Sequence, residues 1–539
     1  MVVLTSRSAE GAKLMGRAPE LEKRTLEQRR THGQVPVIDG VIGGGPADEN
    51  LLTHNTTANN SSVQIIGSSL SICSNSPNQL ASLTGYISRD PSRFLFFWYL
   101  EARRNPDQAP LILWLNGGPG SSSMIGLFQE NGPCRIKLDS SGFDANPESW
   151  NENIQALIPK KYLFIRIYVD QPVGTGYSYG TRTAKTTSEA MIDLYESIQV
   201  LLEHPLFSKF VGRPFGVWTE SYGGHYAPVL VDHILEMNTQ LAGSNLPGKV
   251  TIPINSMGIG NGLTNPLYNQ SMVSNDIIDT ANTDFNTPRT GCHDLIKTCQ
   301  STLKAENCRQ AQSFCNRKIL SPLAGNRDVY DVRQVESNPY PPDLAPILND
   351  VKWKSMIGVS PSLNWTESNE EVYTDFFGSG DWMLDSSKQL ERVIEAGVQT
   401  LIYAGDADFI VNYQGVEALV SSLNTTASRS FSSQKFTNWV IDEEVAGAYK
   451  AMKTLSYLRI FEAGHEVPAY GKGKLRIGRT AKVFFDQTIA GRPLSATLAV
   501  VSNPDSLHNG SSSPSAASRL PLLSSYLFFP LLIRLLSAI

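Results

Sequence analysis

The 539-residue chain has no long run of Lys and Arg; its net charge is −5, with basic residues scattered throughout. That argues against nucleic acid as the main partner, because phosphate binding needs clustered cations. No internal repeat is evident. No Lys follows the glycine-rich stretches in Walker fashion, so phosphate cradling is a poor reading of them. The cysteines lack CxxC knuckles, which weakens a zinc reading. The start, "MVVLTSRSAEGAKLMGRAPELEKR", lacks the apolar core that a signal peptide requires. What is present is ordinary for a folded protein: 41% hydrophobic and 18% charged residues, which argues against wholesale disorder.

Six cysteines stand at 73, 134, 292, 299, 308 and 315, the last four spaced C-x6-C-x8-C-x6-C. Residues seven apart on a helix share a face. Two antiparallel helices would therefore nest Cys292–Cys315 outside Cys299–Cys308, leaving Cys73–Cys134 as the third bridge. Four cysteines allow three connectivities, so the spacing alone does not choose among them. Sequons at Asn55, Asn59, Asn60, Asn269, Asn364, Asn424 and Asn509 join the even cysteine count in favouring the secretory route. The C-terminal stretch points the same way. Small residues Asn509-Gly510-Ser511 precede a polar spacer, Ser512 to Arg519, and a mostly apolar tail from Leu520. That is the layout of a GPI-attachment signal, with Asn509 and Gly510 as candidate sites. Pro521, Pro530 and Arg534 count against a spanning helix. The membrane is thus expected to be reached through a lipid anchor, at the cell surface, with secretion or a vacuolar location as alternatives. The missing signal peptide then implies a start upstream of Met1.

Residues 1–67 are polar, include dibasic Lys23-Arg24, and read as a leader or pro-segment. Beyond them, "PLILWLNGG" (110–118), "PFGVWTES" (214–221), "QTLIYAGDAD" (399–408) and "YLRIFEAGH" (457–465) read as buried strands, each running into a Gly-containing or acidic turn. "HYAPVLVDHILEMNTQL" (225–241) has helical apolar spacing. Alternating strands and helices predict an α/β sheet covered on both faces. The cysteine-rich stretch breaks this rhythm. The expected organisation is a core over 68–264 and 391–495, an inserted cap over 265–390, and a polar linker with the anchor signal over 496–539.

Three reactive residues fall at strand ends in the order Ser221, Asp408, His465. Ser221 lies in "WTESYGGHYAP", a strand–turn–helix context like a nucleophile elbow, although Thr219 stands where Gly is usual. His465 would take the Ser221 proton while an acid of "GDAD" holds the imidazole tautomer. Asp406 competes with Asp408 for that role. Taken singly, each is as readily a turn residue, a loop acid or a cap; catalysis rests on the three together.

"LWLNGGPGSSS" (113–123), "YVDQPVGTGYSYG" (168–180), "WTESYGGHYAP", "YAGDADFIVN" (403–412) and "AGHEVP" resemble the serine carboxypeptidases, above all secreted fungal ones. The likeness covers roughly residues 70–490. It implies an α/β-hydrolase fold with an inserted, disulfide-bridged helical cap, and it selects Asp408 over Asp406. It also implies that Glu220, beside the nucleophile, binds substrate: with Asn116, Glu130 and the Gly117 N–H it would hold a peptide's free carboxylate. Two close carboxyls do not both ionise readily, so a protonated pair can donate to an anion without any cation. Binding should then favour acid. Gly118 and Tyr222 N–H groups would form the oxyanion hole. The implied activity is release of C-terminal amino acids from peptides and proteins through an acyl-enzyme, with no metal or organic cofactor. Esterase or acyltransferase chemistry and a non-enzymatic surface homologue are the rival readings. Two departures stand out: Ser121 occupies a position often held by Cys, and the link "NENIQALIPKKYLFIRIYVDQPVG" is longer than usual, an insertion expected to lengthen or displace a core strand.

Overall fold

The computed structural model describes residues 53–498 except 56–59, 70–81, 103–108, 152–164, 244–247, 272–285, 336, 338–339, 493 and 495–496. A single large sheet organises them. Its main strands are β1 (Ser62–Ser69), β2 (Ser82–Asp90), β3 (Arg93–Leu100), β4 (Leu111–Leu115), β5 (Ile165–Val169), β6 (Phe215–Glu220), β7 (Ile254–Gly260), β8 (Gln399–Gly405), β9 (Thr437–Ile441), β10 (Glu444–Met452) and β11 (Leu455–Ile460). They lie in the order β1-β2-β3-β5-β4-β6-β7-β8-β11-β10-β9. The stretch β5-β4-β6-β7-β8-β11 is parallel, and antiparallel hairpins flank it on both sides. The strands "LILWL" and "FGVWTE" are buried at every position because both faces of a parallel sheet are covered.

One face carries helices α1 (Thr187–Glu203) and α2 (Gly223–Gly243), which pack Met191, Leu194, Leu230 and Ile234 onto Leu113 and Val217. Helix α1 starts at a capping box, in which the Thr186 side chain and Glu189 satisfy each other's backbone donors. The opposite face is aromatic: Trp114, Trp150 and Trp218 meet Phe484 and Phe485 of a C-terminal helix over Arg479–Ile489. The predicted strands and helix are thus in place. This is the α/β-hydrolase architecture.

Between β7 and β8 the chain turns helical. Helices α3 (Asn286–Thr302) and α4 (Ala305–Cys315) form the expected nested pair, Cys292–Cys315 and Cys299–Cys308, with Cα separations of 5.1 and 4.6 Å. Cys134 is buried and disulfide-bonded; its expected partner Cys73 lies outside the described residues. The long link before β5 falls largely in 152–164, also outside them. The described part of strand β5, Ile165–Val169, keeps its place between β4 and β3. Its five residues are buried, Ile165 to Tyr168 pair in register with β4, and Arg166 to Val169 pair with β3.

The chain leaves β4 for β5 on one side and then returns to β6 on the other. That reversal opens a crevice beyond the strands' carboxyl ends, where open α/β sheets bind ligands.

Candidate active site

Into that crevice β6 delivers Ser221. Its φ is 60°, a left-handed conformation uncommon for a residue with a Cβ. Three backbone hydrogen bonds hold it there: Ser221 N–H donates to the Gly260 carbonyl at 2.9 Å, and its own carbonyl accepts from Gly224 and Leu263 at 2.9 and 2.8 Å. Thr219, the departure from the usual Gly, is accommodated by Gly223, where an added Cβ would lie 2.4 Å from the Thr219 Cβ. Gly117 at the end of β4 matters similarly: a Cβ there would approach the Tyr222 nitrogen to 2.3 Å. Two strand ends can therefore meet at the nucleophile. Helix α2 begins at once, and Pro228 within it cannot donate to the Gly224 carbonyl. The Thr264 hydroxyl supplies that donor at 2.9 Å.

Asp408 follows β8 and His465 follows β11, and His465 Nδ1 lies 2.8 Å from Asp408 Oδ2. Asp406 serves elsewhere, accepting from the Glu462 N–H at 2.8 Å and facing Arg459. Both members of the acid–imidazole pair are buried. Burial disfavours the imidazolium, but the Asp408 carboxylate outweighs it and holds His465 above its ordinary value; Glu466 and Glu130 add to the rise. His465 Nε2 has no hydrogen-bond partner among the described residues, and both His465 and Ser221 line one cleft. Among the described residues, neither the Gly118 nor the Tyr222 N–H has a protein acceptor, and both residues line the same cleft. The Tyr222 phenol donates to Asp381, anchoring the elbow to the cap side.

Asn116, Glu130 and Glu220 form one buried cluster. Asn116 Nδ2 donates to Glu220 at 2.7 Å and to Glu130 at 3.2 Å. Its Oδ1 accepts from the Trp114 indole at 2.7 Å and the Gly126 N–H at 3.0 Å, which fixes the amide's orientation. Burial pushes the Glu130 carboxyl up to about 7, even though hydrogen bonds from Glu220 and Asn116 oppose the rise. Burial, followed by the neighbouring Glu130 and Glu466 charges, lifts Glu220 well above the carboxylate range. The pair shares a hydrogen bond and retains protons where ordinary carboxyls have lost theirs.

Four participants were not singled out from the sequence. Asn261, at φ 39° after β7, donates to Asp408 Oδ2 at 2.8 Å and accepts from the Gly405 N–H. Tyr330 places its ring 5.0 Å from that of His465 and accepts the His465 N–H at its carbonyl. Glu466 and Glu367 complete the acidic lining. An Asn between glycines at a strand end ("GIGNGL") was the available signal for the first, and adjacency to His465 for Glu466.

Among the sequons, Asn55, Asn60, Asn364 and Asn424 are exposed, whereas Asn59 and Asn509, like Gly510, lie outside the described residues. Asn269 is a correction. It is 1% exposed, with its backbone and amide packed against Gly415, which leaves no outlet for a glycan. Among the described residues, no helix is long and apolar enough to cross a membrane, and no cluster of His, Cys, Asp and Glu has a metal-holding arrangement.

Residues 74–476 match the family model described as serine carboxypeptidase. Carboxypeptidase S1 of Penicillium janthinellum is 32% identical over 442 residues, covering 79% of this chain and 99% of the relative. Carboxypeptidase Y of Saccharomyces cerevisiae is 33% identical over 414 residues, covering 73% of each. The crystal structure of Kex1, a prohormone-processing carboxypeptidase from Saccharomyces cerevisiae, shares the fold with a TM-score of 0.62 at 22% identity, covering 80% of this chain and 97% of that one.

Proposed function

The chain belongs to the serine carboxypeptidase family, and on that premise we propose that Ser221, His465 and Asp408 release C-terminal amino acids from peptides through an acyl-enzyme. The observation that carries the reading is the buried Asn116–Glu130–Glu220 cluster beside a nucleophile whose acid–imidazole partner is already formed. His465 Nε2 takes the Ser221 proton as Oγ attacks the scissile carbonyl, and Asp408 stabilises the imidazolium. Gly118 and Tyr222 N–H groups receive the oxyanion. The imidazolium then protonates the departing amino group, and water returns through the same base to free the acyl chain.

The clamp selects the end of the chain. The Gly117 N–H, the Asn116 amide and a protonated Glu130/Glu220 pair meet the substrate's α-carboxylate with donors rather than a cation. A C-terminal amide offers no such anion. Because the pair must keep a proton, peptide binding is best on the acid side of neutrality. Protonating Glu130 also removes one of the negative charges that hold His465 up, so the base is freer to act where the clamp is competent.

Peptide and protein C-termini are therefore the substrates, without a metal or organic cofactor. The exposed sequons and the 496–539 layout support a glycoprotein carried to the cell surface by a GPI anchor at Asn509 or Gly510. A removable pro-segment is confined to residues 1–52: the expected boundary at 67 is corrected, because Thr53–Asn55 and Ser62–Ser69 are paired strands of the sheet and Val63 and Ile65 are buried. A fluorophosphonate probe tests the chemistry: mass spectrometry should find the adduct on Ser221, with labelling lost in His465→Ala. An adduct elsewhere, or labelling unaffected by His465→Ala, would refute the assignment.

A further inference from the structure

The turn that carries His465 out of the sheet contains a strained residue. Glu462, between the end of β11 and His465, has φ 59°, a left-handed conformation that is costly for a residue with a Cβ. Its side chain does not impose that conformation; the carboxylate is 59% exposed and pairs with Lys472 at 2.7 Å. The peptide groups on either side of it are instead held from two directions. Asp406 Oδ1 accepts the Glu462 N–H at 2.8 Å, and Arg333 Nη1 donates to the Glu462 carbonyl at 3.0 Å. Fixing both planar peptide groups fixes the φ and ψ between them. Both holders are themselves anchored. Arg333 engages the fully buried Asp331 through Nε and Nη2 at 2.8 and 2.7 Å, and Asp406 faces Arg459 at 3.5 Å. The segment bearing Arg333 also ties into both catalytic loops. Its Tyr330 carbonyl accepts the His465 N–H at 2.8 Å, and its Val332 N–H donates to the Ala407 carbonyl at 3.0 Å.

From this arrangement we infer that Asp406 and Arg333 are positioning residues for catalysis: they hold Glu462 left-handed and so set where His465 presents its imidazole to Ser221. The inference rests on the assignment of Ser221, His465 and Asp408 and deepens it. Asp406, the acid that competes with Asp408 in the sequence, thus has a separate task in the same reaction. Without the two holders Glu462 relaxes toward negative φ, which rotates the flanking peptides and carries the chain leading to His465 with them. A misplacement of the ring by about 1 Å is enough to slow proton transfer on the order of 10²-fold. Proton transfer is common to every substrate, so the loss falls on turnover rather than on the binding of any one side chain. The two acids also differ in what they must be. Position 406 needs only an oxygen that accepts from the Glu462 N–H, which an amide supplies as well. Position 408 must hold the correct imidazole tautomer and offset the imidazolium, which an amide does not do.

The test compares wild type with Asp406→Ala, Asp406→Asn, Arg333→Met, Glu462→Gly and Arg333→Met/Glu462→Gly, with thermal melts to establish folding. Each is assayed for kcat and KM on an N-blocked dipeptide and its ester, and for the second-order rate of fluorophosphonate labelling at Ser221, which needs the triad but no peptide. Asp406→Ala and Arg333→Met should each lower kcat and the labelling rate at least about tenfold, with KM little changed. Asp406→Asn should recover most of that loss. Glycine adopts positive φ readily, so the loss caused by Arg333→Met should be at least about threefold smaller in the Glu462→Gly background than in wild type. A residue that only stabilised the fold would lower the melting temperature and leave kcat of the folded enzyme alone. Unchanged kcat in folded Asp406→Ala and Arg333→Met, or a loss that Glu462→Gly does not reduce, would overturn the inference. If Arg333→Met does not fold, the Asp406 variants decide, and equal activity of the Ala and Asn forms would overturn it. Labelling of wild type without cleavage of any free-acid peptide would instead overturn the carboxypeptidase reading, while the labelling rates would still report the positioning role.

Discussion

Replacing Glu130 with Gln probes the clamp without changing its shape. In the wild type this carboxyl is lifted from 4.5 to about 7, chiefly by burial. At 1.36 kcal/mol per pH unit, that corresponds to roughly 3 kcal/mol in favour of the protonated form. The sign follows directly: a raised carboxyl is a donor below about pH 7 and loses that role above it, so free-acid peptide cleavage should fall up to tenfold per pH unit beyond that point. The introduced amide donates at every pH, and the neighbouring carboxyl loses one repulsive partner, so Glu220 titrates lower and less cooperatively. The assay compares kcat/KM from pH 4 to 9 for an N-blocked dipeptide and for its C-terminal ester analogue. Wild type should lose peptide cleavage above pH 7 while ester cleavage, governed by His465, continues to rise. In Glu130→Gln/Glu220→Gln the alkaline loss should disappear, with ester cleavage largely retained. An unchanged alkaline limb in the folded double variant would refute the reasoning.

Other consequences are as direct. Asn261→Ala removes a 2.8 Å donor to Asp408, and kcat should fall about tenfold for peptides and esters alike with KM little changed; a selective KM effect would contradict the positioning role. Gly223→Ala would drive a methyl to 2.4 Å from the Thr219 Cβ, and the melting temperature should drop by several degrees, an effect that Thr219→Gly should partly rescue. Removing Cys299–Cys308, which closes a loop of sequence separation 9, should cost about 2–3 kcal/mol in urea unfolding.

The strand ends were readable because apolar runs stop at polar, glycine-bearing turns, and these turns carry Asn116, Ser221, Asp408 and His465. The choice of Asp408 over Asp406 depended on family likeness; in space it follows from the loop, which turns one carboxylate to His465 and the other to Arg459. Helix geometry offered the nested cysteine pairing as one of three connectivities, and the packing of the two helices selects it. Asn261, Tyr330 and Glu367 were not, since each reaches the site from a segment distant in sequence and its local pattern is that of an ordinary turn. Asn269 shows the converse. A sequon is a three-residue pattern, and burial beneath Gly415 is settled only by the packing of the helix at Tyr413–Ser422.

The central claim is that this cleft reads a free C-terminal carboxylate. The most direct measurement is amino-acid release from an N-blocked dipeptide beside its C-terminally amidated twin at mildly acidic pH, with Ser221→Ala as the blank. Rapid cleavage of the free acid with little of the amide is the predicted result. Equal cleavage of both, or none of either by folded protein, would contradict it.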